Sequence, residues 1–164
     1  MAEETKKDIN KTIERYNTLR EKYKLPSFDF LNQNFEIEAI AEDNNIYLLR
    51  RIRKAIIEKV FYYLRTLDAF MNPSNSPIFI MNLIHSFKPE DNELIKAIYK
   101  KLGEYEIESF GLEVEYDEAK EANFINSISE DWKSIALDLK KLYETMKIGY
   151  NKEESKKNHK SYFG

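Results

Sequence analysis

The sequence predicts an all-α protein, a single-domain helical bundle of about five helices, mostly antiparallel. Three observations carry that expectation. Apolar side chains recur at three- and four-residue steps through most of the 164 residues, the beat of one buried helix face. Only 4 glycines and 4 prolines are present, so turns are few and the elements between them are long. Ile125, Ile128, Trp132, Ile135, Leu139, Leu142 and Met146 step alternately by three and four, an unbroken heptad seam.

The first helix is expected from about Lys6 to Lys24, on the stripe Ile9, Ile13, Tyr16, Leu19 and Tyr23. Pro26 ends it, because proline disfavours helical backbone angles at the residue before it. Ser27 is placed to cap a short turn carrying Phe28, Phe30 and Leu31. In "FEIEAI", apolar residues alternate with acids as in a strand. No partner strand of similar quality exists nearby, so an extended or one-turn connector is expected.

Asp43, Asn44 and Asn45 are N-cap types for a helix from about Asn45 to Met71, which "NPSNSP" terminates. Ser76 followed by Pro77 signals the start of the next helix, "IFIMNLIHSF", expected to be buried on most sides with His85 a satisfied core histidine. Pro89 opens another helix whose first turn is acidic, which suits the helix dipole. Its stripe is Leu94, Ile98, Leu102 and Tyr105, and it fades near Gly111. Asp117 is the expected cap of the last helix, which bears the heptad seam. The bundle domain is therefore placed at 1–149, and 150–164 is expected to be a mobile charged tail.

Composition narrows the function. Cysteine is absent, which excludes a disulfide framework, thiol catalysis and Cys-ligated metal sites. The first residues, "MAEETKKDINKT", lack an apolar signal core, and no apolar run approaches the roughly 18 residues of a membrane span. A cytoplasmic protein with no membrane partner is expected. A formal charge of −3 argues against a chain devoted to coating nucleic acid, where affinity comes from neutralising phosphates.

"RRIRKAIIEKVFYYLRTL", residues 50–67, is the stretch that invites a function. On a helical wheel Leu49, Ile52, Ile56, Val60, Tyr63, Leu67 and Phe70 share one arc. Ile46, Ile57, Leu64 and Met71 widen it. Arg50, Arg51, Lys54, Lys59 and Arg65 take the opposite arc, with Glu58 and Asp68 among them. Arg53 is the exception, because it projects into the apolar arc. It must snorkel outward or find a carboxylate as a structural ion pair. Residues 104–121, "EYEIESFGLEVEYDEAKE", hold eight acids and one lysine. The leading expectation is that this acidic segment lies against the basic helix and neutralises it. A solvated basic face and a phosphate-binding face are the alternatives. Tyr47 and Tyr62 lie toward the charged arc, where with Arg51 and Lys59 they would form an interface-type surface.

Catalytic and metal patterns are missing. His85 and His159 are the only histidines, and neither sits at a Glu-x-x-His spacing. Glu113, Glu115 and Asp117 alternate but lack the glycine and terminal glutamate of a calcium loop, so solvated surface acids are expected. There is no Gly-x-Ser-x-Gly, no glycine-rich phosphate loop, and no arginine four to six residues before a histidine as in helical HEPN ribonucleases. No enzyme, cofactor, metal or small-molecule substrate is expected.

"ERYNTLREKYKLPSFDFLNQNFEIEAI", "LLRRIRKAIIEKV" and "VEYDEAKEANFINSISEDW" together resemble a family of small, uncharacterised archaeal proteins, over roughly residues 12 to 147. The resemblance implies a cytosolic helical protein and brings no activity with it. The functional expectation is a non-enzymatic protein-interaction module with a protein partner or a homo-oligomeric state. The alternative is a ribosome- or RNA-associated factor using Arg50, Arg51, Lys54, Lys59 and Arg65, helped by Lys156, Lys157 and Lys160 of the tail.

Overall fold

A computed structural model of the chain describes residues 2–42 and 47–160; the side chains at 2–8, 39, 41–42, 75 and 152–160 lie outside that description. The protein is all-α, a helical bundle. Its α-helices are α1 (Ala2–Tyr23), α2 (Phe28–Phe35), α3 (Leu48–Met71), α4 (Ile78–Ile84), α5 (Pro89–Val114) and α6 (Glu118–Lys160). Short 3₁₀ segments lie at Ile37–Glu42 and Pro73–Asn75, and no strand occurs among the described residues. Six α-helices rather than about five lie among the described residues, because the turn carrying Phe28 and Leu31 is itself a helix of two turns. The expected caps Asp43, Asn44 and Asn45, and Ile46, lie outside the described residues.

The chain divides into two compact units. Unit 1 comprises residues 1–61 and 104–132, and unit 2 comprises 62–103 and 133–164. In unit 1, α1 closes with a left-handed turn. Lys24 has φ 55°, and the Leu25 N–H reaches back to the Arg20 carbonyl at 3.2 Å, which satisfies one of the last free carbonyls of the helix. The buried Tyr16 hydroxyl donates to the Pro26 carbonyl at 2.8 Å and ties the turn to the helix it follows. Ser27 caps α2 as its sequence predicts, its Oγ accepting the Phe30 N–H at 3.1 Å. Of "FEIEAI", Phe35 closes α2, Glu36 is its left-handed cap, and the residues from Ile37 onward form the 3₁₀ segment. Its i, i+3 eclipse places Ile37 and Ile40 on one side, and both are buried.

Helices α3, α5 and α6 supply the rest of unit 1. Leu49, Ile52, Ile56 and Val60 are each almost wholly buried, so the apolar arc of the wheel is the core face of α3. Asp117 caps α6 by accepting the Lys120 N–H at 3.0 Å. On α6, Phe124, Ile125, Ile128 and Trp132 face the core, and Trp132 Nε1 donates to Asn34 Oδ1 at 3.1 Å while its ring packs on Phe35. Most of the heptad seam faces inward: in unit 2 its members Ile135 and Leu142 are also buried, while Leu139 and Met146 are half-buried.

Unit 2 departs from expectation at α4. Only Leu83 is fully buried there, while Ile78, Phe79 and Met81 are exposed and so is His85, which is no core histidine. A helix of two turns offers a single inward stripe, here Ile80, Leu83 and Ile84, so its other apolar residues must face out. Ser76 does not cap α4 either. Its hydroxyl donates instead to the Ala69 carbonyl at 3.0 Å, and Pro77 occupies the cap position.

The helix expected to end near Gly149 continues to Lys160. Extending an existing helix adds one hydrogen bond per residue and needs no apolar stripe. Lys156, Lys157, His159 and Lys160 have side chains outside the described residues, and 161–164 lie wholly outside them. Gly149 is buried against Ser86, where an added Cβ would lie 2.7 Å from the serine Cβ. Gly149→Ala is therefore expected to destabilise, the clash of about 1–3 kcal/mol outweighing the helix-propensity gain of about 1 kcal/mol. Adding Ser86→Gly should recover the loss; thermal unfolding of the two variants checks it.

Candidate functional site

The site that the sequence singles out is the charged part of unit 1, and it begins with Arg53. Its position on the inward arc of α3 leaves the side chain 2% exposed, and the facing Glu121, in the first turn of α6, is 0% exposed. Arg53 Nε donates to Glu121 Oε2 at 2.7 Å. Its Nη2 donates to Glu113 Oε2 at 2.7 Å and to Glu121 Oε1 at 3.4 Å, and its Nη1 donates to Ser109 Oγ at 2.5 Å and the Ser109 carbonyl at 3.3 Å. A guanidinium has five N–H donors in a fixed fork. Here every nitrogen is taken up by α5 and α6, so Arg53 has nothing left with which to hold a phosphate. Burial opposes its charge, and the Glu121 and Glu113 carboxylates more than reverse that effect, raising its pKa.

Arg50, one turn earlier, closes over the same carboxylate. Its Nε lies 3.5 Å from Glu121 Oε1, and its Nη2 donates to the Leu112 carbonyl at 3.0 Å near the end of α5. The guanidinium sits 5.1 Å from the ring centroid of Tyr116 and 6.0 Å from that of Tyr47, and the two rings meet edge to face at 4.4 Å. Arg50 and Arg53 meet Leu112 and Ser109 in opposite chain order, so α3 and α5 run antiparallel in this unit.

Lys54 binds the other oxygen of Glu113 at 2.8 Å, and Lys59 pairs with Glu36 at 2.7 Å. Arg51 is half-buried, with contacts of its own. Tyr47, Arg50, Arg53 and Lys54 are therefore gathered around Glu113 and Glu121, while Lys59 is engaged separately. Tyr62 and Arg65 belong to unit 2, where Tyr62 is exposed and stacks edge to face on Tyr63. Sequence reasoning pointed to residues 104–121 as a block but missed the individual partners Ser109, Glu113, Glu121 and Tyr116. The available signal was spacing: Ser109 and Glu113 are four apart on α5 and so share a face.

Two further acids of the block have roles of their own. Asp117 is a cap, and Glu118 Oε1 accepts from Lys22 Nζ at 2.9 Å and from the Tyr23 hydroxyl at 2.8 Å. Tyr105 donates a short hydrogen bond to Asp131. Burial first and Asp131 second hold its phenol well above the ordinary range, so it stays protonated at neutral pH. Among the described residues no group of three or more His, Asp or Glu is placed to hold a metal ion.

The hydrogen bonds from Arg53 and Lys54 hold the Glu113 carboxyl at about 2, below its ordinary 4.5. Hydrogen bonds from Lys59 and from Lys22 depress Glu36 and Glu118 in the same direction. A carboxyl depressed in the folded state stabilises it fully above the ordinary value and loses that contribution as pH falls through the folded value. Stability is therefore expected to decline from about pH 4.5 toward 2. Glu113→Gln should flatten that decline; acid titrations followed by circular dichroism compare the slopes.

No protein-family model, curated protein or solved structure matches the chain. Among the described residues no helix is long and apolar enough to cross a membrane.

Proposed function

We propose that the protein is a non-enzymatic, cytoplasmic interaction module that binds another protein, or a second copy of itself, through a helical face. The observation that supports this most is the large apolar surface left outside: Ile107, Phe110 and Val114, on successive turns of α5, are 76%, 75% and 79% exposed. Single exposed apolar residues are ordinary, but several adjoining on one helix face make a patch of the kind found at binding surfaces. Most of the heptad seam of α6 is buried, which leaves the outward face of α5 as the better-supported docking surface.

The RNA reading has less support. Arg50, Lys54 and Lys59 of the cationic arc each meet carboxylates of the same chain, as Arg53 does on the inward arc, so much of the positive charge of α3 is neutralised before any phosphate arrives. Size-exclusion chromatography with light scattering, together with a pull-down, tests the module reading. A strict monomer that retrieves nothing contradicts it. RNA retention that weakens steeply with salt and is lost on replacing Lys54, Lys59 and Arg65 by alanine would favour the alternative.

A further inference from the structure

Helix α5 has two apolar faces in unit 1. Tyr105, Ser109 and Leu112 turn inward and are buried. Ile107, Phe110 and Val114 turn outward, and Gly111 lies exposed among them. At about 100° per residue these four positions span an arc about 100° wide and about 10 Å long. That is the stripe an amphipathic helix presents to another helix.

Two features of the arc identify what it fits. One is charge. Glu104, Glu108 and Glu115 border it on one side, all three exposed and without an ion pair among the described residues. Glu106 and Glu113 border it on the other, and Glu113 is already held by Arg53 and Lys54. An apolar stripe rimmed with glutamate repels a second copy of itself and an anionic lipid surface alike, and attracts a stripe rimmed with cations. The other feature is Gly111. Glycine inside a helix costs about 1 kcal/mol relative to alanine. Gly111 has no positive φ, and nothing lies within 4 Å of where its Cβ would be, so neither backbone nor packing in the unit calls for glycine. A missing Cβ on an outward face lets a partner backbone approach closely.

We propose that the Ile107–Phe110–Val114 face of α5 docks a helix of another protein whose apolar stripe is bordered by lysine or arginine. This rests on the interaction-module reading above and specifies its partner. Phe110 is the anchor, Ile107 and Val114 flank it one turn away on either side, Gly111 sets the depth of approach, and the glutamates fix orientation.

The test titrates two synthetic helical peptides, identical in their leucine stripe but flanked by lysine in one and glutamate in the other, into the full chain. The lysine-flanked peptide is expected to bind, slowing amide exchange in residues 104–115. Phe110→Ala and Gly111→Ala should each weaken it by at least about tenfold, as loss of an interface anchor does, and the glutamate-flanked peptide should bind at least about tenfold more weakly. Both substitutions are on the surface, and Gly111→Ala should strengthen the isolated helix, so misfolding does not explain a loss. No binding by the lysine-flanked peptide, equal binding of both peptides, or equal binding to Phe110→Ala overturns the proposal. Light scattering on the peptide-free chain separates the two readings. A dimer abolished by Phe110→Ala assigns this face to a second copy, which overturns the docking proposal and leaves the module reading standing.

Discussion

Glu121→Leu alone is expected to cost unit 1 about 3–5 kcal/mol, because it leaves the buried Arg53 guanidinium without its main counter-charge. Removing both partners should behave differently. A buried ion pair replaced by apolar residues of similar volume is often neutral or better, since the desolvation of both charges is removed with their attraction. The double variant Arg53→Met/Glu121→Leu should therefore recover most of the loss. Glu113, itself partly exposed, keeps Lys54 as a partner in that variant. Urea unfolding followed by fluorescence is well suited to the comparison, because Trp132 is the only tryptophan and is buried in unit 1. An unchanged midpoint for Glu121→Leu would mean that the pair is not buried as described.

Phe124→Ala is expected to be of similar size, about 3–5 kcal/mol, as for large aromatics deleted from well-packed cores. Phe124 is wholly buried and meets the Tyr105 ring edge to face, with centroids 5.7 Å apart. Phe124→Leu keeps most of the volume and should cost less than about 1.5 kcal/mol. Since small domains are stable by only about 5–15 kcal/mol in total, the alanine variant should lose a large share of that stability. The same urea experiment separates the two variants.

Much of this architecture can be read in the sequence, and the reason is periodicity. The arc Leu49, Ile52, Ile56 and Val60 is the core face of α3 because a fixed rotation per residue brings those positions together whatever the rest of the chain does. Local chemistry is equally legible where it acts over three or four residues, as at the Ser27 and Asp117 caps. Arg53 belongs in the same class. A guanidinium on an apolar arc needs a carboxylate, and the sequence offers one acidic block, although only tertiary packing selects Glu113 and Glu121 from its eight acids.

What periodicity cannot supply is a partner for each apolar face. "IFIMNLIHSF" reads as buried because it is apolar, yet a helix of two turns has one inward stripe, and Ile78, Phe79 and His85 face outward. Ile107, Phe110 and Val114 likewise read as part of a fading helix. Their outward face is visible only once Tyr105, Ser109 and Leu112 are seen to occupy the inward one. A helix end is expected near Gly149 because apolar periodicity stops there, and only the neighbouring Ser86 explains why a residue without a Cβ is used at that point.

The disfavoured RNA reading depends on the cations of α3 being neutralised by carboxylates of the same chain, and the pair of Arg53 with Glu121, on the inward arc, is the most enclosed of these contacts. Nitrogen-15 NMR of the arginine Nε–H groups tests that directly, with Arg53→Lys assigning the resonance. A single Nε proton that exchanges with solvent far more slowly than those of exposed arginines, and vanishes in Arg53→Lys, is the expected result. An Arg53 Nε proton exchanging as fast as that of a solvated arginine would contradict it.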